Sequence, residues 1–575
     1  MGVKYYLGIG GFAHDCAAAL FRNDELIAAA PEERFTRVKH QGGIPWNAVQ
    51  FCLDQADIEP GDVSVVCHSF TRRNILQYAM SKLAGSFRHP EILLKNTGTQ
   101  EKGRRLYRLA VLVAENEFGL RQLKTKFSRS RHQFVYHHDA HAAAVFLTSP
   151  HQSATVLVLD SNGDGASTTL YDARDRKLRR FLSIPFPHSL GNFYATFTKY
   201  LGFTGGDEYK VMGLASYGEP RFQEQIRQMF EWESATAYRL KLQYFTHQGI
   251  AGSTQFSHSL VDKLGAPIIY DGTLDQRAAD IAASVQFALE EIVTRMLVNS
   301  EVNAKVLCIG GGVAQNSVLN GKLALTGDYE TVHVPPWVTD AGTAIGAAAY
   351  VAHQDGFEPV VPEHDYWGPE YDDHDIEGAL GRIKVVARKI DAKERLLNTV
   401  VEKLIAGKIV GWFQGRSEFG ERALGNRSIL ADPRLPEMKD LVNERIKFRE
   451  EFRPFAPSIL ADSFSDYSVC SHASPFMTHV FKIKSEKRDV IPAVTHVDGT
   501  GRFQTVTWKS NSLYYELIDT FRRKTGVPVV LNTSFNVKGE PIVCNPVDAL
   551  RTFYNCGMDV LVMENYLVEK EHVST

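Results

Sequence analysis

The feature that most constrains the fold is a pattern of three short strands that occurs twice in the chain. The first copy covers residues 6–29, with a polar turn at His14-Asp15, and the second covers residues 156–184, with a glycine turn at 163–165. Each copy has the order strand, small-residue loop, strand, tight turn, strand. A unit repeated about 150 residues apart predicts two similar lobes, although two unrelated β-meanders would leave the same pattern.

The rest of the chain divides into two α/β regions. A chain of 575 residues is too long for one core, so we expect two or three domains. Residues 359–375 are rich in proline and acid, which predicts an interdomain linker. We therefore expect one domain over 1–358 and another over 376–575, which begins with a helix and a buried strand. The duplicated unit is typical of actin-like ATPases, which bind nucleotide between two lobes.

Composition excludes several classes of protein. With 44% hydrophobic and 23% charged residues, the chain is an ordinary globular protein, and its net charge of −3 argues against a nucleic-acid binder. Its seven cysteines are dispersed without a CxxC pair, which fits a reducing compartment better than a disulfide framework. No apolar run approaches the ~18 residues of a membrane span, and the first residues lack the basic start of a signal peptide. We expect a cytoplasmic enzyme.

Two histidines four residues apart are candidate metal ligands. His137 and His141 open an alanine-rich helix, where positions i and i+4 project from one face. Asp160 and Asp340, in later turns, could complete a set of two imidazoles and two carboxylates, which suits iron, manganese or zinc. The alternative is structural: surface or capping histidines, a turn residue at Asp160 and a helix cap at Asp340.

A run of three glycines separates a buried strand from a helix. Gly310, Gly311 and Gly312 follow strand 306–309, and Asn316 stands where the next helix begins. Glycine lets the backbone approach a ligand closely, and helix N-terminal N–H groups suit ribose hydroxyls or phosphate oxygens. The run predicts a nucleotide-binding turn, although a tight structural loop would need the same glycines.

Six motifs in this first region resemble one family, the NodU/CmcH-type O-carbamoyltransferases. They are the runs 11–19 (GFAHDCAAA), 32–40 (EERFTRVKH), 137–141 (HHDAH) and 210–215 (KVMGLA), the glycine run and the turn at Asp340. The resemblance implies an actin-like (ASKHA, duplicated ribonuclease-H-like) domain that binds ATP and a metal, with iron as the family's metal. It is similar to the enzymes that make threonylcarbamoyl-adenosine in tRNA. It also implies nucleotide contacts from Lys210 and Gly213, besides the glycine run and Asn316.

Residues 415–458 are dense in arginine interleaved with acids, unlike a bulk basic patch for nucleic acid. Arginine binds phosphate through a planar two-pronged fork. This stretch and the runs 501–505 and 531–536 resemble the C-terminal YrdC-like α/β domain of the same family, which binds carbamoyl phosphate and ATP and makes carbamoyl-adenylate. The ligands that the resemblance implies here are Arg416, Lys447, Arg449, Arg502, Asn532 and Ser534.

The resemblance implies an ATP-dependent O-carbamoyltransferase. Carbamoyl phosphate and ATP with Mg would give carbamoyl-adenylate, and the metal would polarise its carbonyl while an acceptor hydroxyl attacks. His14 is our candidate base because histidine exchanges protons near neutrality; its alternative role is to orient the loop. Competing functions are a small-molecule kinase of actin-like fold, a threonylcarbamoyl-transferase-like tRNA-modifying enzyme and a non-enzymatic actin-like scaffold.

The sequence does not identify the acceptor. Members of the family carbamoylate hydroxyls of aminoglycosides, cephems, macrocycles and nodulation oligosaccharides, which implies a small molecule of natural-product or antibiotic biosynthesis. We expect no membrane or nucleic-acid partner, and a monomer or homodimer. The stretches best suited to shape an acceptor pocket are 70–131, which is rich in basic residues, and 217–275.

Overall fold

The computed structural model describes residues 2–70, 114–115, 117–247 and 255–570. The basic residues of the first candidate acceptor stretch, 72–108, and the segment 248–254 of the second lie outside the described residues. The chain forms two compact units, which consist of residues 1–27 with 41–361 and of residues 28–40 with 362–575. None of the helices in the described ranges combines the length and the apolar character needed to cross a bilayer.

Two five-stranded sheets lie mainly in the first unit. The strands up to residue 185 are β1 (Tyr5–Gly10), β2 (Ala17–Arg22), β3 (Glu25–Pro31), β4 (Val63–His68), β5 (Arg131–Phe134), β6 (Ala154–Gly163), β7 (Ala166–Arg174) and β8 (Lys177–Pro185). The later strands are β9 (Phe230–Trp232) and β10 (Tyr238–Leu240), which pair with each other, and β11 (Val306–Gly310) and β12 (Thr331–His333).

The two sheets have the same strand order. It is β3-β2-β1-β4-β5 in one and β8-β7-β6-β11-β12 in the other. In both, the first strand of the meander pairs antiparallel with the second strand, β1 with β2 and β6 with β7. In both, that first strand also pairs parallel with the next strand across the sheet, β1 with β4 and β6 with β11. The repeated pattern of the sequence is therefore a repeated sheet.

The helix that follows β5, the last strand of one sheet, packs against the helix that follows β12, the last strand of the other. The helices up to residue 361 are α1 (Glu33–Thr36), α2 (Trp46–Ala56), α3 (His137–Phe146), α4 (Leu190–Tyr200), α5 (Glu208–Ala215), α6 (Gln223–Arg227), α7 (His258–Leu264), α8 (Gln276–Val298), α9 (Ser317–Leu325) and α10 (Thr343–Gln354). A Cβ on Gly346 of α10 would lie 1.8 Å from the carbonyl oxygen of Ala140 in α3. The glycine therefore lets the two backbones approach closely.

The second unit is built on one eight-stranded sheet, β13-β22-β21-β14-β15-β20-β16-β19. Its strands, and the separate pair β17–β18, are β13 (Arg388–Lys389), β14 (Val410–Phe413), β15 (Arg427–Ala431), β16 (Ala456–Leu460), β17 (Phe481–Lys482), β18 (Thr500–Gly501), β19 (Gln504–Val506), β20 (Val529–Ser534), β21 (Val560–Met563) and β22 (Tyr566–Glu569). Its helices are α11 (Asp373–Ile383), α12 (Lys393–Ile405), α13 (Met438–Val442), α14 (Phe464–Tyr467), α15 (Ser485–Arg488), α16 (Ser512–Thr525) and α17 (Pro546–Tyr554). The chain is thus a mixed α/β protein.

The unit boundary differs in one respect from the sequence-based expectation. It falls after Val361, inside the predicted linker 359–375, but residues 28–40 belong to the second unit although they occur early in the chain. Within the predicted linker, Asp365 is buried and its carboxylate accepts a hydrogen bond from the backbone N–H of Gly420 at 2.9 Å. Proline and acid content gave no sign of these long-range contacts.

Candidate metal centre and anion site

Three elements of secondary structure bring the candidate metal ligands together. His137 and His141 lie on α3, one turn apart. Asp160 lies where the register of β6 against β7 shifts between Leu159 and Gly163, a strand irregularity of the kind that re-aims side chains. Asp340 begins a short 3₁₀ turn directly before α10. The close packing of α3 and α10 places these elements side by side.

The four side chains have the spacing of ligands around one ion. The Nε2 atom of His137 lies 3.0 Å from that of His141, 3.5 Å from an Asp160 oxygen and 3.5 Å from an Asp340 oxygen. One donor atom from each side chain lies within 4.8 Å of all the others. Ligands about 2.0–2.2 Å from a single ion are themselves about 3–3.6 Å apart at ordinary coordination angles. The donor set of two imidazoles and two carboxylates fits a divalent transition metal.

The charges of the cluster depend on one another. Burial acts to lower the pKa of His137, but the carboxylates of Asp340 and Asp160 outweigh it and raise that pKa well above its usual value. Burial acts to raise the pKa of Asp340, but the charges of His137 and His14 hold it well below its usual value. Without a cation, a proton on the His137 imidazole offsets part of the negative charge of the two carboxylates. A divalent ion would replace that proton.

The helix side of the cluster is buried. His141 is fully buried, and Asp160 is 6% exposed. The second ring nitrogen of His141, Nδ1, has no hydrogen-bond partner among the described residues. Histidine ligands usually donate this second N–H to an acceptor. Because Nδ1 has no such acceptor among the described residues, the position of the His141 ring is set by the packing around α3.

His14 lies at the open edge of the cluster. Its ring Nε2 is 3.8 Å from an Asp340 oxygen, its Nδ1 is 2.9 Å from an Asp15 oxygen, and its side chain is 54% exposed. The charge of Asp340, followed by the hydrogen bond to Asp15, raises the pKa of His14 to about 9. His14 therefore carries a proton near neutrality until a cation neutralises Asp340. Its assignment as the base stays a prediction.

The glycine run lies against the strand that carries Asp160. Gly311 has a left-handed φ of 87°, and a Cβ there would lie 2.2 Å from the carbonyl oxygen of Leu159. The backbone N–H of Gly312 points to Asp160 Oδ1 at 3.4 Å. Gly310 ends β11 beside α3, and a Cβ there would lie 3.3 Å from the carbonyl oxygen of His141. The candidate nucleotide turn and the candidate metal centre therefore adjoin.

The other predicted nucleotide ligands have partners within the unit. Asn316 caps α9, because its Oδ1 accepts the N–H of Leu319, and its amide pairs with Gln286. Lys210 forms an ion pair with Asp207 at 3.1 Å. Gly213 lies in α5. Their roles as nucleotide ligands stay predictions.

Arginines in the second unit repel one another. Burial and the like charges of Arg422, Arg449 and Arg453 hold the pKa of Arg502 well below its usual range. The Nε atom of Arg502 is buried without a hydrogen-bond partner among the described residues. An anion would supply the missing acceptor and the missing charge. Arg422 and Arg453 were not among the predicted ligands, although both lie in the arginine-dense stretch 415–458.

Lys447 holds the predicted ligand Ser534. Its ammonium donates to the Oγ of Ser534 at 3.2 Å and to the side-chain oxygen of Asn536 at 2.9 Å. Burial, followed by the charges of Arg449 and Arg453, holds the pKa of Lys447 well below its usual value. One positive cluster, which we call the anion site, therefore contains Lys447, Arg502 and the three arginines Arg422, Arg449 and Arg453.

Three further predicted ligands engage neighbouring groups. Arg416 donates to the carbonyls of Trp367 and Gly368 at 2.6 and 3.1 Å. The guanidinium of Arg449 lies 4.4 Å from the ring of Phe455, and its Nε donates to Asn443. Asn532 is buried, and its amide donates to Ala423 O, Ser458 Oγ and Gln504 Oε1. These contacts support the walls of the site; direct binding stays a prediction.

Comparison with known proteins gives the family. Residues 5–349 match the family model described as carbamoyltransferase N-terminus, and residues 401–570 match carbamoyltransferase C-terminus. The protein sll1178 of Synechocystis sp. is 38% identical over 99% of this chain and 97% of its own length. The nodulation protein NolNO of Sinorhizobium fredii is also 38% identical, over 98% of this chain and 80% of its own length.

A comparison with solved structures of HypF gives a weaker likeness. The crystal structure of HypF from T. kodakarensis aligns over 62% of this chain and 49% of its own, with 13% identity and a TM-score of 0.31. A likeness of this size supports no conclusion. The two family models match most of the chain in the order N-terminus then C-terminus. The protein therefore belongs to the carbamoyltransferase family, together with the NodU and NolO nodulation proteins, and is a carbamoyltransferase.

Proposed function

We propose that the protein is an ATP-dependent O-carbamoyltransferase that makes carbamoyl-adenylate from carbamoyl phosphate and ATP and transfers the carbamoyl group to a hydroxyl of a small molecule of natural-product biosynthesis. The observation that carries this proposal is the presence, in one carbamoyltransferase chain, of four candidate metal ligands in one unit and a cluster of partly buried cations in the other. A carbamoyl donor that carries phosphate needs the second cluster, and activation of a carbonyl is served by the first.

The fold supports the division of labour. We assign the first unit to the actin-like class because its two sheets share the order of strands and the direction of their central pairs. Nucleotide would then bind at the glycine run 310–312, next to Asp160. We assign the second unit, with its anion site, to the YrdC-like class. Adenylate formation would belong to this second unit.

The proposed reaction sequence consumes one molecule of water. Water cleaves the bond between the carbamoyl group and phosphate and releases carbamate and inorganic phosphate. A carbamate oxygen attacks the α-phosphorus of ATP, the bond to the β-phosphate breaks, and pyrophosphate leaves. The acceptor hydroxyl then attacks the carbamoyl carbon of the adenylate, its proton passes to a base, and AMP leaves. The cations of the anion site stabilise the phosphate charge in the first two steps.

In the first unit, His137, His141, Asp160 and Asp340 would hold a divalent metal, for which we propose iron. When bound, such an ion acts as a Lewis acid toward a carbonyl oxygen. Asp340 lies between His141 of the cluster and His14. Neutralisation of the Asp340 charge would therefore lower the pKa of His14 toward the range of a general base. His14 would then accept the proton of the acceptor hydroxyl.

The products separate this proposal from its alternatives. The protein, loaded with Fe²⁺, is incubated with carbamoyl phosphate and ATP labelled at the α-phosphate, either alone, with a panel of hydroxylated small molecules, or with tRNA. We expect pyrophosphate release that depends on carbamoyl phosphate, and AMP with a carbamoylated product when an acceptor is present. ADP with a phosphorylated acceptor would instead indicate a kinase, and a modified tRNA would indicate the tRNA-modifying enzyme. The absence of pyrophosphate with carbamoyl phosphate present would overturn the proposal.

A further inference from the structure

The segment that carries Asp340 is fixed by two side chains, one before and one after it in the chain. Residues 335–342 lie between β12 and α10, and we call them the Asp340 turn. Trp337, three residues before Asp340, is 3% exposed, and Thr343, three residues after it, is fully buried. Neither side chain belongs to the cluster of candidate metal ligands, so their buried contacts have another role.

Trp337 fastens the Asp340 turn to α3, the helix that carries both histidines. Its indole N–H donates to the carbonyl of Ala144 at 2.7 Å. Ala144 lies three residues after His141, in the last turn of α3. The last carbonyls of a helix lack partners within the helix, so an outside donor is well placed there. This hydrogen bond sets how far the Asp340 turn lies from the end of α3.

The backbone of the turn is folded tightly around this attachment. A Cβ on Gly342 would lie 1.8 Å from the carbonyl oxygen of Trp337, so only glycine fits at that position. The carbonyl of Val338 accepts the N–H of Gly311 at 2.9 Å, which joins the turn to the glycine run. A displacement of Trp337 would therefore be passed on to Asp340 rather than absorbed between them.

Thr343 fastens the other end of the turn. Its hydroxyl donates to the backbone carbonyl of Asp340 at 2.6 Å, and the hydroxyl oxygen of Ser69 lies 2.8 Å from Thr343 Oγ1. Ser69 is fully buried directly after β4, and its backbone N–H donates to the carbonyl of Ile9 in β1 at 3.1 Å. Asp340 is therefore connected to α3 through Trp337 and to the sheet of β1 and β4 through Thr343.

These connections supply a support that His141 does not receive through its own ring. A histidine ligand is usually oriented by a hydrogen bond from its second ring nitrogen, but Nδ1 of His141 has no such partner in the part of the chain that the structure describes. The distance that a shared ion requires is the one from His141 Nε2 to Asp340 Oδ1, which is 3.5 Å. Because Trp337 joins the Asp340 turn to the helix of His141, it controls that distance through the backbone.

We propose that Trp337 and Thr343 are positioning residues of the candidate metal centre, which hold Asp340 at ligand distance from His141. The inference rests on the proposed function, because it takes the four-residue cluster as the site of a divalent metal. It assigns the support of Asp340 to two hydrogen bonds that end on backbone carbonyls, those of Ala144 and of Asp340 itself.

The test uses the full-length protein and measures metal binding without turnover. The dissociation constant of Co²⁺ is obtained by competition with a chelator, and the visible absorption of bound Co²⁺ reports the geometry of its ligands. The variants are Trp337→Phe, Thr343→Val and Thr343→Ser. Trp412→Phe is the matched control, because Trp412 of β14 is fully buried and its indole nitrogen has no hydrogen-bond partner among the described residues.

We expect Trp337→Phe to raise the Co²⁺ dissociation constant about tenfold, the effect typical of a lost supporting contact, and to change the absorption of the bound ion. The carbonyl of Ala144 keeps the hydroxyl of Thr148 as a donor at 2.5 Å, so the fold should tolerate this variant. Thr343→Val should act in the same way, because it keeps the shape and removes the hydroxyl. Thr343→Ser keeps the hydroxyl and should stay within about twofold of wild type. Trp412→Phe should match wild type in both measurements.

Two results would overturn the inference. If Trp337→Phe and Thr343→Val bind Co²⁺ with the affinity and absorption of wild type, or if Trp412→Phe loses as much affinity as they do, the two contacts serve the fold alone. If wild type binds no stoichiometric Co²⁺, the metal centre itself is wrong. Should Trp337→Phe be insoluble, Thr343→Val and Thr343→Ser decide the question.

Pyrophosphate release from carbamoyl phosphate and ATP tests the proposed function separately. If Trp337→Phe and Thr343→Val weaken Co²⁺ binding but wild type releases no pyrophosphate, the positioning roles hold and the proposed function fails. If wild type releases pyrophosphate and the two variants bind Co²⁺ as wild type does, the proposed function holds and the positioning roles fail.

Discussion

The carboxylate of Asp164 accepts a hydrogen bond of 2.6 Å from the backbone N–H of His137. Asp164 lies in the turn between β6 and β7, in the left-handed conformation with φ 57°, and His137 is the first residue of α3. The turn that follows Asp160 thus caps the helix that carries both histidines. One hydrogen bond joins the two halves of the candidate metal centre.

Removal of this cap should loosen the metal centre. Asp164→Ala leaves the first N–H of α3 without an acceptor, and we expect unfolding to become easier by about 0.5–2 kcal/mol. Metal affinity should fall about tenfold, the effect typical of a lost supporting contact. Asp164→Asn keeps an oxygen acceptor and serves as the control. Metal content after equilibration with limiting Fe²⁺ and chemical denaturation measure the two effects; equal metal content in both variants would refute the link.

Loss of a ligand should cost far more than loss of the cap. His141 is fully buried and its Nε2 faces both His137 and Asp340. We expect His141→Ala to abolish stoichiometric metal binding and carbamoyl transfer. Pyrophosphate release should persist, because the anion site lies in the other unit. His353→Ala, a partly buried histidine of α10 outside the cluster, is the control. Full metal content in His141→Ala would remove this residue from the ligand set.

Part of this arrangement follows from the sequence alone. The i, i+4 spacing of His137 and His141 is a local pattern that can be recognised without a structure, and the strand repeat indicated the two similar sheets. Asp164 carries no such signal, because its partner is 27 residues earlier and a turn aspartate is common. The contact of Arg37 with the carbonyl of Ile542, more than 500 positions later in the chain, likewise depends on tertiary packing, which periodicity does not encode.

The pKa of His14 should fall when the cluster binds a cation. The carboxylate of Asp340 is the main cause that raises this pKa to about 9, and a divalent ion on Asp340 would cancel that charge. NMR titration of the His14 ring, without metal and with diamagnetic Zn²⁺, measures the shift directly. We expect a pKa of about 9 in the first case and a lower one in the second. Identical titration curves would place the ion elsewhere.

The same pKa gives a pH dependence to the stability of the metal-free protein. A histidine whose pKa is raised on folding contributes stability that is fully present below its unfolded value of about 6.5 and is lost as pH rises through its folded value. For His14 the loss should therefore occur between about pH 6.5 and 9. The difference in unfolding free energy between wild type and His14→Gln should shrink across that window. A difference that is constant with pH would show that His14 is not charged in the folded protein.

Arg502 should reduce the stability of the ligand-free protein while serving its function. Its pKa is held well below the usual range by burial and by three neighbouring arginines, so its positive charge opposes folding at any pH where it is protonated. Arg502→Met fills similar volume without the charge. We expect its melting temperature to rise by several degrees, because it removes a partly buried charge whose Nε lacks a hydrogen-bond partner among the described residues. Pyrophosphate release should fall at least about a hundredfold, because a charged hydrogen bond to phosphate is lost and its site loses a cation.

Added phosphate should raise the melting temperature of wild type more than that of Arg502→Met. A variant that is less stable than wild type and responds equally to phosphate would mean that Arg502 is a structural residue and that the anion site lies elsewhere in the unit.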